Sequence, residues 1–160
     1  MTSLEAAIPQ QARIVLDASV VIAYLAANES VSPIARVVID EFIAGERNAA
    51  VLSTLAAGEI LVRPYQSGTA RAVAFEVLDM PGLTLCSVDF LVAAEAARMR
   101  SESSLRLPDA IVLATGVLTS ATCLVTNDRR LAAAAPAIAP SISVCLLSDH
   151  VHTSSGPASH

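Results

Sequence analysis

The stretch IVLDASVVIAYL, Ile14–Leu25, sets a single carboxylate, Asp17, between two apolar runs. The run before it is aliphatic and uncharged, as a strand buried on both faces of a parallel sheet must be. The run after it is apolar on most faces of a helix. A buried strand closed by an acid and followed at once by a helix reads as one β/α unit.

The same unit recurs along the chain. Strand-like runs are expected at Arg13–Leu16, Ala49–Ser53, Leu83–Ser87, Thr122–Thr126 and Ile142–Leu146, with helical patterns between them. Ser32 and Pro33 give an N-cap and first-turn signal before IARVVIDEFIAGER. Helices over Thr54–Gln66 and Thr69–Met80 are separated by Gly68, and Pro81-Gly82 stops the second. Asp89 caps FLVAAEAARMRSES, Pro108 opens DAIVLATGVLTS, and a short helical turn follows Asp128. The expected architecture is a three-layer α/β/α sandwich on a central, mostly parallel five-stranded sheet. Residues 1–12 form an N-terminal extension, 13–147 one domain, and 148–160 a flexible polar tail.

At 160 residues the chain is long enough for one core without disulfide staples. Cys86, Cys123 and Cys145 lie inside aliphatic runs with no C-x-x-C or Cys/His cluster, so they read as buried thiols of a reducing cytoplasm. The start MTSLEAAIPQQA carries an acid and no long apolar core, unlike a secretory signal, and Ala110–Asn127 falls short of a bilayer span. Net charge is −5 and all ten basic residues are Arg, a balance that argues against nonspecific coating of nucleic acid. The 54% hydrophobic share is high for a small domain and points to apolar surface covered by a homodimer partner, a bound peptide or both.

Four carboxylates interrupt apolar runs: Asp17, Glu59 in STLAAGEILV, Asp109 in LPDAIVLATG, and Asp128 in CLVTNDRRL. Each has a plain alternative. Asp17 and Asp128 fit helix N-caps, Asp109 suits the positive end of a helix, and Glu59 is spaced to pair with Arg63. Their joint placement at strand ends and adjoining helices brings all four to one sheet edge, where ligands of open parallel sheets bind. Clustered carboxylates raise one another's pKa unless a cation intervenes. An oxygen-only ligand set suits Mg²⁺ or Mn²⁺ rather than Zn²⁺, and Mg²⁺ shares its shell with phosphate, which points to metal-assisted attack on a phosphodiester.

Absent motifs narrow this further. His150, His152 and His160 all lie near the C-terminus, which disfavours a paired-histidine nuclease, and no G-x-S-x-G, P-loop or G-x-G-x-x-G is present. Aromatic residues, at 3%, are too few for a base-stacking platform. An Asp-dependent phosphatase of the haloacid-dehalogenase type wants a second Asp where Ser19 stands, and a receiver domain wants a Lys the chain lacks.

The D-A-S opening at Asp17–Ser19, the spacing from Ser53 to Glu59, the L-P-D-A-I-V-L-A-T block from Leu107 and T-N-D at Thr126–Asp128 resemble PIN-domain ribonucleases. Within that family the chain is most similar to VapC toxins of toxin–antitoxin pairs, over about Arg13–Leu147. The resemblance implies an Mg²⁺- or Mn²⁺-dependent endoribonuclease, homodimeric and inhibited by a VapB-type antitoxin. By position Asp17 and Asp109 would be the principal metal ligands, Glu59 and Asp128 would complete the acidic pocket, and Ser19, Thr126 and Asn127 would orient ligands or substrate. Residues 1–12 and the segment after Leu147 depart from the family pattern. The rival reading from another class is a PIN-like scaffold without catalysis.

Overall fold

A computed structural model describes residues 2–151. Five strands, β1 (Ile14–Leu16), β2 (Ala50–Ser53), β3 (Leu83–Cys86), β4 (Cys123–Thr126) and β5 (Ser143–Leu146), form one sheet in the order β3-β2-β1-β4-β5, and every pairing is parallel. β1 sits at the centre because its three residues are buried on both faces and no polar side chain interrupts them. Register pairs Leu16 with Val125 of β4. Asp17 therefore leaves the sheet beside the residue that follows Val125, Thr126.

Side-chain alternation splits the core into two layers. Ile14, Leu16, Leu52 and Val125 pack on one face against α2 (Ala18–Ala26) and α3 (Ser32–Arg36), the latter widening into a π-helix over Val37–Ile43. Val15, Val51 and Leu124 face the other layer, built from α6 (Phe90–Ser101), α7 (Leu107–Leu118) and α8 (Arg129–Ile138). Burial of each large aliphatic side chain contributes about 1.5–3 kcal/mol, so the two layers supply most of the drive to fold. The expected α/β/α sandwich is the observed one.

Several local expectations need correction. Ser32 does not cap its helix: its hydroxyl donates to the Ala23 carbonyl at 2.7 Å and accepts the Glu29 N–H at 3.1 Å, tying the helix to α2 instead. The turn expected after Asp128 is a ten-residue helix that continues past Pro136. Cys86 is half-buried, whereas Cys123 and Cys145 are fully buried and free. The segment before β1 carries a short helix, α1 (Leu4–Ala7), capped by Ser3. Buried Asn48 donates to the carbonyls of Pro9 and Ala12, both at 2.8 Å, and Arg47 donates to that of Ile8 at 2.9 Å, so residues 8–12 lie against the domain. Leu147–His150 form a 3₁₀ turn with His150 buried; the remainder of the expected tail, residues 152–160, lies outside the described residues.

Two details aim helices at the C-terminal edge of the sheet. Ser53 closes β2 and caps α4 (Thr54–Ser67), accepting the Ala56 N–H at 3.0 Å, which sets the direction of the helix that carries Glu59. Gly116 lets α7 lie directly on β1, because a Cβ there would meet Val15 Cγ1 at 2.8 Å. That close approach positions the first turn of α7, and with it Asp109.

Candidate active site at the C-terminal edge of the sheet

Asp17 occupies the N-cap position of α2 in backbone terms, yet its carboxylate makes no capping hydrogen bond. It turns to the sheet edge, where Oδ2 accepts from Thr126 Oγ1 at 2.8 Å and from the Ser19 hydroxyl. Those hydroxyls are themselves oriented from behind. Thr126 Oγ1 accepts the Asp128 N–H and Ser19 Oγ accepts the Asn127 N–H, each at 2.9 Å. The result is a continuous chain from the backbone of the β4–α8 turn through two hydroxyls to one oxygen of Asp17. Asp17 is 7% exposed and Thr126 0%, so this network is fixed in a low-dielectric setting where satisfied hydrogen bonds rigidify. Oδ1 has no hydrogen bond among the described residues, leaving one carboxylate oxygen uncommitted.

The expected orienting roles are thus divided. Ser19 and Thr126 act through their hydroxyls, and Asn127 through its backbone N–H, while its side-chain Oδ1 is buried without a partner. Thr126→Val deletes the hydroxyl that both grips Asp17 and accepts the Asp128 N–H, at nearly constant volume. Activity is expected to fall roughly 10–100-fold, the scale for losing a ligand's supporting contact, in a steady-state assay with the fold intact by circular dichroism.

Asp128 divides its carboxylate. Oδ1 caps α8, accepting the Arg130 and Leu131 N–H groups at 2.8 and 3.1 Å, so the plain capping role is real. Oδ2 faces Arg106 Nη2 at 3.7 Å. Asp109, three residues beyond Arg106 in the first turn of α7, places Oδ2 3.5 Å from Arg106 Nε. Glu59 stands at the exposed rim, and its plain role fails: no ion pair with Arg63 forms among the described residues.

Two of the acids, Asp109 and Glu59, are shifted by burial and by their charged neighbours. Burial raises the Asp109 pKa; Arg106 opposes the rise, and Asp128 and Asp17 add to it. Glu59 is likewise raised, by burial first and then by Asp17 and Asp109, with Arg106 opposing. Repulsion of this kind is relieved by a cation. Among the described residues, however, no three His, Cys, Asp or Glu side chains gather tightly enough to form a ready-made metal cage. Hard oxygen donors, one uncommitted oxygen on Asp17 and mutual carboxylate repulsion fit Mg²⁺, which uses one or two carboxylates and fills its shell with water and phosphate.

Arg106 is the functional candidate that sequence reasoning missed. Its signal was the R-x-x-D spacing to Asp109 at a helix start, which places the two side chains on one face.

The model of one family, the PIN domain, matches residues 14–136, from the first residue of β1 into α8. The chain belongs to the PIN domain family. PIN domains are typically nucleases that use divalent metals, so the coarse reading is a nuclease of this type. Solved structures that share the fold include the following two. A toxin–antitoxin complex from Klebsiella pneumoniae has a chain 19% identical at a TM-score of 0.62, covering 86% of this chain and 98% of its own. VapBC2 from Rickettsia felis, bound to a fragment of its promoter DNA, has one 13% identical at 0.61, covering 84% and 97%. No curated protein sequence matches this PIN domain. Among its described residues no helix is long and apolar enough to cross a membrane.

Proposed function

We propose that this PIN domain is an Mg²⁺- or Mn²⁺-dependent endoribonuclease and the toxin half of a toxin–antitoxin pair, acting in the cytoplasm. The observation that carries the reading is Asp17: a buried carboxylate, held by Ser19 and Thr126 on one oxygen and free on the other, within electrostatic reach of Asp109 and Glu59. A buried acid relieved of capping duty and gripped by two hydroxyls is built to present an oxygen to something outside the protein.

Asp17 and Asp109 would hold the metal, with Glu59 and Asp128 Oδ2 completing the pocket. A bound divalent ion would supply charge neutralisation and lower the pKa of water enough for it to serve as a nucleophile at neutral pH. Ser19 and Thr126 keep Asp17 Oδ2 fixed, so that its other oxygen meets the site without reorganisation. Glu59 stands at the open rim, which suits a carboxylate receiving the proton of the attacking water.

Partner surfaces accompany the site. An apolar groove of about 570 Å³ is lined by Ile22, Leu25, Ile60, Val62 and Val73 and reaches Glu59 itself. It would suit the apolar face of a VapB-type antitoxin segment; one structure of like fold is a toxin–antitoxin complex and another is VapBC2. Exposed Tyr65, Phe75, Leu78, Phe90 and Leu91 supply apolar surface for a homodimer.

The direct test is incubation of purified protein with total RNA. Cleavage in Mg²⁺ or Mn²⁺ that EDTA abolishes is expected. A melting temperature indifferent to either metal, together with no cleavage, would favour the scaffold reading.

A further inference from the structure

Arg106 holds the N-cap position of α7 without capping it, and 63% of its side chain is exposed. Its guanidinium lies between two acids of the site, with Nε 3.5 Å from Asp109 Oδ2 and Nη2 3.7 Å from Asp128 Oδ2. Another arginine of the same chain serves as an internal control. Arg98, on the surface of α6, closes on Glu95 at 2.6 Å and on Glu102 at 2.9 Å, as a guanidinium free to choose its partners does. Arg106 instead stands back from two carboxylates carried by different helices and settles tightly on neither. Arg129 and Arg130, also beside the site in sequence, are exposed and form no ion pair among the described residues.

A cation placed between carboxylates that it does not grip fills the electrostatic position a divalent ion would take. Exposure makes such contacts weak, so they yield to a stronger competitor. Its charge also reaches Glu59, opposing the rise there as it does at Asp109.

Resting on the nuclease reading above, we propose that Arg106 is the tethered counter-cation of the acidic pocket: it neutralises the Asp109–Asp128 pair in the metal-free protein and must be displaced before a divalent ion binds. Metal and guanidinium are then mutually exclusive occupants, and Arg106 sets how readily the site loads. It is a positioning residue, acting through the carboxylates rather than on the substrate.

The experiment is Mn²⁺ binding to the full chain, by calorimetry at one fixed pH of about 8. Arg106→Met is expected to bind Mn²⁺ about five- to tenfold more tightly than the wild type, since both repulsion and competition vanish. Arg106→Lys, which keeps the charge, is expected to restore the weaker wild-type affinity. Equal or weaker Mn²⁺ binding by Arg106→Met, or tightening that Arg106→Lys shares in full, overturns the proposal. RNA cleavage is read separately. A wild type that binds Mn²⁺ but cuts no RNA removes the nuclease reading alone, while a cleaving enzyme whose Mn²⁺ affinity ignores Arg106→Met removes only this proposal.

Discussion

Asp17→Asn protein is expected to cleave RNA at least about a thousandfold more slowly than the wild type, with an unchanged circular dichroism spectrum. The replacement is isosteric, and an amide oxygen still accepts from Ser19 and Thr126. The fold therefore loses little, while the pocket loses its best-ordered negative charge. Charge stabilisation by a bound metal is worth several kcal/mol, and about 4 kcal/mol corresponds to that thousandfold. Glu59 and Asp128 cannot substitute. One sits at the exposed rim, and the other spends an oxygen on capping α8. Undiminished cleavage by the variant would remove Asp17 from the chemistry.

Asp109→Asn is expected to separate stability from activity. Burial and the neighbouring acids raise the Asp109 pKa in the folded protein. A carboxyl group harder to ionise when folded than when unfolded favours the native state below its unfolded pKa. That contribution disappears as pH rises through the raised folded value, and beyond it the ionised group opposes folding. Metal-free wild type should thus gain stability as pH falls from neutral towards the carboxylate range, with Glu59 contributing in the same direction. Asp109→Asn removes part of this opposition at pH 7, and the ion pair it sacrifices is with a largely exposed arginine and worth little. The metal-free variant should melt at or above the wild-type temperature. Saturating Mg²⁺, at a hundred times its Kd, should stabilise the wild type by about 2.7 kcal/mol, roughly 5–10 °C, and leave the variant unmoved while its cleavage is lost. A variant that melts well below the wild type without metal would contradict this balance, and scanning calorimetry across pH decides it.

The three central strands were legible because a strand buried on both faces can hold no charge, and the two edge strands because they are short, uncharged and rich in aliphatic residues. Arg13–Leu16, Thr122–Thr126 and the three other expected runs each fall within a residue of an observed strand. The positions of Asp17 and Asp128 were legible for the same reason, since each stands within two residues of the end of a buried strand. What each acid does there was not, because that depends on partners distant in sequence. Asp17 turns from capping towards Thr126, 109 residues away, whereas Asp128 does cap, and nothing local to either residue separates the two outcomes. Arg106 was overlooked because an exposed arginine at a helix start is ordinary until Asp128 is brought opposite it. Residues 8–12 are held against the domain by Arg47 and Asn48, which bind the carbonyls of Ile8, Pro9 and Ala12 from more than 30 residues away. The π-helix over Val37–Ile43 shifts hydrogen bonds by one residue without changing which side chains are apolar, so periodicity gave no sign of it.

On the proposed function, these acids and the divalent ion they would hold direct water at an RNA phosphodiester, expelling the 3′ oxygen. Mapping the ends produced from total RNA, with and without Mg²⁺, tests it most directly. Cleavage that requires metal and leaves 5′-phosphate and 3′-hydroxyl ends is the predicted result. Cleavage that persists in EDTA and leaves 2′,3′-cyclic phosphates, the mark of attack by the RNA's own 2′-hydroxyl, would contradict it.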